Sequence, residues 1–134
     1  MTENKPIFSG GCACGKVRIT ITARPKRVGL CHCMTCRKSH GAMFNPFAVF
    51  FSQDVIIEGT LKDWESSPGY LRRFCPDCGS HVLGVNEGEV EVSLGSLDRV
   101  GSLTPEYESW ILRREPWLTA LPIPQYERDR PPAV

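Results

Sequence analysis

The sequence has little that would tie it to a membrane, a nucleic acid or a secretory route. Its longest apolar run covers only residues 47–51, far short of the ~20 residues that cross a bilayer as a helix. Basic runs are absent and the net charge is +1, so a polyanion partner has no electrostatic footprint here. The first residues, Met1-Thr2-Glu3-Asn4-Lys5-Pro6, are polar and lack the apolar core of a signal peptide. The expected location is therefore the cytoplasm. No stretch of ten or more residues repeats with a helical period. Pro105, Pro116, Pro122, Pro124, Pro131 and Pro132 exclude a long terminal helix, because proline lacks the amide and clashes with the preceding turn. No low-complexity segment or linker divides the 134 residues, which is the length of one domain.

What is present alternates. Val17, Ile19 and Ile21 share one face of a strand, and Val90, Val92 and Leu94 share one face of another. Residues 44–51 are dense in aromatic and β-branched side chains and read as a buried strand with Pro46 near its start. Residues 55–59, Tyr70–Phe74 and 82–85 read as further short strands, and Asn86-Glu87-Gly88 as a turn. Residues 34–40 fit a single short helical segment. Short, regularly spaced strands predict a mainly β domain. The proline-rich end is expected to be an extended tail held on the body by Trp110, Trp117, Leu118, Leu121 and Tyr126. Residues 129–134 are expected to fray.

Seven cysteines carry the chemistry, in three clusters: Cys12-Ala13-Cys14, Cys31-His32-Cys33-Met34-Thr35-Cys36 and Cys75-Pro76-Asp77-Cys78-Gly79. Disulfides would leave one of the seven unpaired, and a reducing compartment disfavours them. A thioredoxin-type redox pair would want a βαβ pattern, which the sequence lacks. Zinc takes thiolates tetrahedrally: four close a structural site, whereas three leave a position open. In the third cluster, Pro76 pre-sets a tight turn and Gly79 can adopt the left-handed conformation. Cys75 and Cys78 thus form a zinc knuckle that needs two more ligands.

Cys12 with Cys14 could complete it, or Cys33 with Cys36. Cys31, Cys33 and Cys36 lie close enough to wrap one ion as a compact loop, which favours Cys12, Cys14, Cys75 and Cys78 as the closed set. The second set is then Cys31, Cys33 and Cys36. A histidine could close it: His40 is the better placed, His81 could approach from the knuckle, and His32 is expected to point away. With the position open, a zinc ion on three thiolates is soft and suits a substrate thiol, which loses its proton on coordination. The reaction class that follows is formation or cleavage of a carbon–sulfur bond. Arg37 and Lys38 could draw in a carboxylate on that thiol. Two other readings stand beside this one. One is a zinc module without catalysis that docks a protein through Trp110, Trp117 and Tyr126, although core packing of those aromatics is preferred. The other is a redox thiol protein.

The chain resembles the glutathione-dependent formaldehyde-activating enzyme family, which includes centromere protein V. The resemblance rests on Gly10-Gly11-Cys12-Ala13-Cys14-Gly15, on Cys31-His32-Cys33-Met34-Thr35-Cys36-Arg37-Lys38 with Gly41-Ala42, and on Phe74-Cys75-Pro76-Asp77-Cys78-Gly79-Ser80. Toward the end it rests on Pro116-Trp117, Leu121-Pro122 and Pro124-Gln125-Tyr126-Glu127. It implies one domain over 1–134, with its catalytic-type part over roughly 7–128, and a β-tent fold of packed antiparallel sheets. It implies two zinc ions: a structural one on Cys12, Cys14, Cys75 and Cys78, and a catalytic one on Cys31, Cys33 and Cys36. The implied activity is a carbon–sulfur lyase type, joining formaldehyde to a small thiol such as glutathione as S-hydroxymethylglutathione.

Overall fold

The computed structural model describes residues 5–132. Residues 1–4 and 133–134, on which part of the signal-peptide and fraying expectations rested, lie outside the described residues. Strand-forming segments dominate, and they assemble into two sheets. The smaller sheet has β2 (Arg18–Ile21) at its centre, flanked antiparallel by β1 (Phe8–Gly11) and by β5 (Val55–Glu58). The larger sheet has seven strands. From one edge they are β10 (Glu108–Ser109), β3 (Arg27–Cys31), β4 (Asn45–Phe51), β9 (Glu89–Ser93), β8 (His81–Asn86), β7 (Tyr70–Phe74) and β6 (Lys62–Ser67). Neighbours are antiparallel except the short β10, which runs parallel to β3. Among the described residues the α-helix α1 (Met34–His40) joins β3 to β4, and three single 3-10 turns lie at Ser52–Asp54, Leu94–Ser96 and Ile111–Arg113. The expectation of a mainly β domain of packed sheets, with one helical segment at residues 34–40, is met.

Alternation along the strands gives the large sheet two different faces. Val28, Ala48, Phe50, Val90, Val92 and Leu83 pack against Ile19, Ile21 and Val55 of the small sheet and Val17 just before it, forming the main core. Ile19, Ile21 and Phe50 are essentially sealed from solvent, and each such side chain contributes about 1.5–3 kcal/mol by burial. The residues between them point the other way. The register aligns Cys31 with Asn45, Gly29 with Phe47, Phe47 with Ser93, Val49 with Glu91, Glu91 with Gly84, and Gly84 with Arg72. Phe47, Val49 and Tyr107, with Cys31 and Tyr126 packed against them, form a small apolar cluster on that second face. The rest of it is polar and lines a cavity.

Four strands were not legible as patterns. β6, Lys-Asp-Trp-Glu-Ser-Ser, is an edge strand exposed along most of its length, so burial imposes no alternation on it. β3 carries Gly29, which reads as a break. A Cβ at that position would stand 2.5 Å from the Tyr107 ring, so glycine is there for room. β1 is half glycine, and β10 has two residues.

The tail departs from expectation in what holds it. Trp117 is 68% exposed and Leu121 42%, so neither is a packing anchor. Hydrogen bonds replace them. The Glu108 carboxylate accepts from the Leu121 amide and from Gln125 Nε2, each at 2.8 Å. The Tyr126 amide donates to the Glu108 carbonyl at 2.9 Å, and the Trp110 amide to the Arg128 carbonyl at 3.0 Å. Tyr126 does pack, edge-on against Tyr107. A proline-rich segment has few amides to spend on a sheet, so a carboxylate from the neighbouring strand takes the donors it has.

Candidate metal centres and the adjoining cavity

Cys12 and Cys14 follow β1, and Cys75 and Cys78 lie in the turn between β7 and β8. Their four sulfurs all lie within 4.8 Å of one another. Cys12 Sγ is 3.6 Å from Cys14 Sγ, which is 3.8 Å from Cys75 Sγ. Zinc–sulfur bonds of ~2.3 Å in a tetrahedron require edges of roughly 3.8 Å, so these residues fit the ion. The knuckle turns through Gly79 at φ 76°, whose amide donates to the Cys75 carbonyl at 2.8 Å. The Val17 amide donates to Cys12 Sγ at 3.2 Å. Ser80, through its hydroxyl and its amide, pulls the Cys78 thiol down to about 5, which readies it as a thiolate ligand.

Cys31 ends β3, Cys33 caps α1 and Cys36 sits in its first turn. Their sulfurs also lie within 4.8 Å of one another. The Cys36 amide donates to Cys33 Sγ at 3.3 Å, so the ligand loop and the helix start are one structure. Hydrogen bonds from the Cys31 and Cys36 thiols, aided by the Arg72 charge, pull the Cys33 thiol down to about 2. The same contact, with Cys33 as acceptor, pushes Cys31 up. The alternative grouping of Cys33 and Cys36 with the knuckle is not formed. Among the described residues, no histidine, aspartate or glutamate joins either sulfur group. The three-sulfur set thus keeps a side without a protein ligand.

The three histidines have other partners. His32, between two cysteines, is 2% exposed and donates from Nε2 to Glu108 Oε1 at 2.7 Å. That bond braces the ligand loop against β10 and the tail. His40 and His81 join neither sulfur group and so close neither site; they pack ring against ring with centroids 4.1 Å apart. Burial depresses both, His40 to about 4 and His81 to about 3.

The three-cysteine set opens into a cavity of about 820 Å³ on the polar face of the large sheet. Arg72 stands beside the sulfurs and is only 8% exposed. Its Nη2 lies 3.7 Å from Cys36 Sγ, while Nε donates to Ser66 Oγ at 3.0 Å and Nη1 to Ser39 Oγ at 3.3 Å. Lys26, Arg27 and Arg130 also line the cavity. Arg37 and Lys38 do not. Arg37 pairs with Glu115 at 2.5 Å and donates to the Arg113 carbonyl at 3.0 Å, so it clamps the loop after β10. Lys38 is exposed. The residue that sequence reasoning missed is Arg72. An arginine in mid-strand, two residues after Tyr70 and three before the knuckle, was the available signal. Trp110 lines the cavity rim in a left-handed conformation at φ 56°, with Nε1 donating to Asp129 Oδ1 at 2.8 Å.

Comparisons with known proteins agree with this architecture. Residues 7–113 match the family model described as glutathione-dependent formaldehyde-activating enzyme. A protein of Emericella nidulans named after that enzyme is 30% identical over 108 residues, covering 75% of this chain and 54% of that protein. An uncharacterized lyase of Schizosaccharomyces pombe is 27% identical over 75 residues, 56% of this chain and 55% of that protein. The chain therefore spans about half the length of these relatives. A Rhodobacter sphaeroides protein of known crystal structure superimposes with a TM-score of 0.59 at 23% identity, over 70% of this chain and 91% of that one, which is a likeness of fold.

Proposed function

We propose that this chain, which belongs to the glutathione-dependent formaldehyde-activating enzyme family, joins a small thiol to an aldehyde and reverses that step. The reading makes it a two-zinc carbon–sulfur lyase. The observation that supports it is a set of three sulfurs with a free side, opening into a cavity of about 820 Å³. Cys12, Cys14, Cys75 and Cys78 would hold a structural zinc, and Cys31, Cys33 and Cys36 a catalytic one. When bound there, zinc supplies a soft position at which a thiol deprotonates near neutral pH. The chain supplies the rest. Arg72 balances the negative charge gathered on the three sulfurs. At the cavity wall Lys26 and Arg27 share Glu89 and Arg130 lies over the Tyr107 ring; this excess of cations suits a thiol that carries carboxylates, which glutathione does. Phe47 and Tyr107 give its chain an apolar wall.

The test is zinc content and thiol–aldehyde exchange on the same freshly purified protein, with formaldehyde and a panel of thiols that includes glutathione. The expected result is exchange above the solvent rate, lost in Cys33→Ala while one zinc per chain remains. Unchanged exchange in Cys33→Ala overturns the mechanism. A second reading, a zinc module that docks a protein, draws on one observation: Trp117, Leu112 and Leu121 lie exposed in the same segment. Absence of exchange with every thiol, together with full zinc occupancy, would favour it.

A further inference from the structure

The polar face of the large sheet holds an acid pair that the metal assignment leaves unused. Arg72, Gly84 and Glu91 stand in one register row across β7, β8 and β9. Gly84 has no side chain, and a Cβ there would lie 2.0 Å from Tyr70 Oη. The gap is filled by Tyr70, which lays its phenol across Gly84 and places Oη 2.5 Å from Glu91 Oε2. The Arg72 guanidinium lies 5.3 Å from the Tyr70 ring centroid and also contacts Cys36 Sγ. Cys36, Arg72, Tyr70 and Glu91 thus run in sequence along the wall of one cavity. A phenol backed by a carboxyl, beside a thiol-binding position, is an arrangement suited to moving a proton to a nearby oxygen.

We propose that Tyr70 is the acid that protonates the aldehyde oxygen as the thiol sulfur attacks, and that Glu91 restores its proton. The inference rests on the carbon–sulfur reading above. The substrate thiol releases its proton to solvent as it binds. Its sulfur lone pair forms the C–S bond to the carbonyl carbon, and the C=O π pair moves onto oxygen. That oxygen takes the Tyr70 phenolic proton, the Glu91 carboxyl reprotonates Tyr70, and Glu91 recovers from solvent the proton the thiol released. Thiol plus aldehyde gives the hydroxyalkyl thioether with nothing left over, and each transfer reverses in cleavage. Burial pushes both Tyr70 and Glu91 up, which favours the protonated form of each.

The experiment uses the full zinc-loaded chain with formaldehyde, glutathione and the small-thiol panel, following exchange by NMR as a function of pH. Tyr70→Phe is expected to lower kcat by about 10²-fold or more, with zinc content and thiol dissociation constant unchanged. Glu91→Gln is expected to lower kcat less and to move the alkaline limb of the pH profile. The charged groups facing the pair are Arg27 on β3, Glu89 on β9, Arg72 on β7 and Cys36 on α1, and all remain in both variants. Active wild-type protein with Tyr70→Phe within ~3-fold of it overturns the acid role and leaves the carbon–sulfur reading standing. Wild-type protein that exchanges no thiol overturns both. Should Tyr70→Phe fail to fold or to load zinc, 3-fluorotyrosine at position 70 decides. Its more acidic phenol is expected to shift the alkaline limb downward, and an unmoved limb overturns the proposal.

Discussion

Replacing His40 and His81 together by glutamine should flatten the acid sensitivity of this fold, by an amount that can be worked out beforehand. Both imidazoles start from 6.5 and are depressed in the folded protein, His40 to about 4 and His81 to about 3. The cause is burial first, with the Arg72 charge opposing protonation at both and His40 also doing so at His81. The folded state therefore resists protons that the unfolded chain accepts. Stability is intact above pH 6.5 and is lost as pH falls toward the folded values. At pH 5 an unfolded histidine is almost fully charged, whereas both folded rings are almost fully neutral. Each group then costs about 2 kcal/mol relative to pH 7.5, or about 4 kcal/mol for the pair. Residual solvent contact reduces this to about 2–4 kcal/mol. The assay is urea unfolding at fixed free zinc, for wild type and for His40→Gln/His81→Gln, at pH 7.5 and pH 5. Protonation of the cysteine ligands destabilises both proteins alike and cancels in the difference. Wild type should lose about 2–4 kcal/mol more than the double variant over that interval. Equal losses in the two proteins would refute the account of why the rings are neutral.

Two further outcomes follow from the same geometry. Cys78→Ala should abolish a site worth on the order of 10 kcal/mol of folding free energy, giving insoluble or loosely folded protein with less than two zinc ions per chain. Soluble, native-like Cys78→Ala protein by near-UV circular dichroism would remove the structural role of that group. Glu108→Ala leaves His32 buried without its partner and strips the tail of two hydrogen bonds. It should cost about 2–4 kcal/mol, from an unpaired buried ring nitrogen and the lost hydrogen bonds, and open residues 111–128 to limited proteolysis, whereas wild-type resistance in the variant would show that the tail is held otherwise.

Local grammar explains which parts of the molecule can be read from its sequence. Val17, Ile19 and Ile21 alternate because one face of β2 meets the core, and that constraint is written every second residue. β6 escaped because an edge strand in water carries no such constraint. Trp117 misled, since size and apolarity favour burial on average, but the tail is fixed by the Glu108 carboxylate, a long-range contact with no local signature. Arg37 and Lys38 misled for a similar reason. Closeness to Cys36 in the chain suggested the cavity, yet the helix turns Arg37 toward Glu115 and leaves Lys38 in solvent.

The sequence by itself determined the mainly β class, the short helical segment and the two-plus-two and three-cysteine spacings, because backbone period and ligand spacing are local properties. Tertiary structure alone decided which pairs share a sulfur cage and that His40 and His81 meet each other rather than a metal. It also decided that Arg72, Tyr70 and Glu91 converge beside Cys36. Tyr70 and Arg72 lie on β7, Glu91 on β9 and Cys36 on α1, and only the sheet register, with Gly84 leaving the gap between β7 and β9, brings their side chains to one wall.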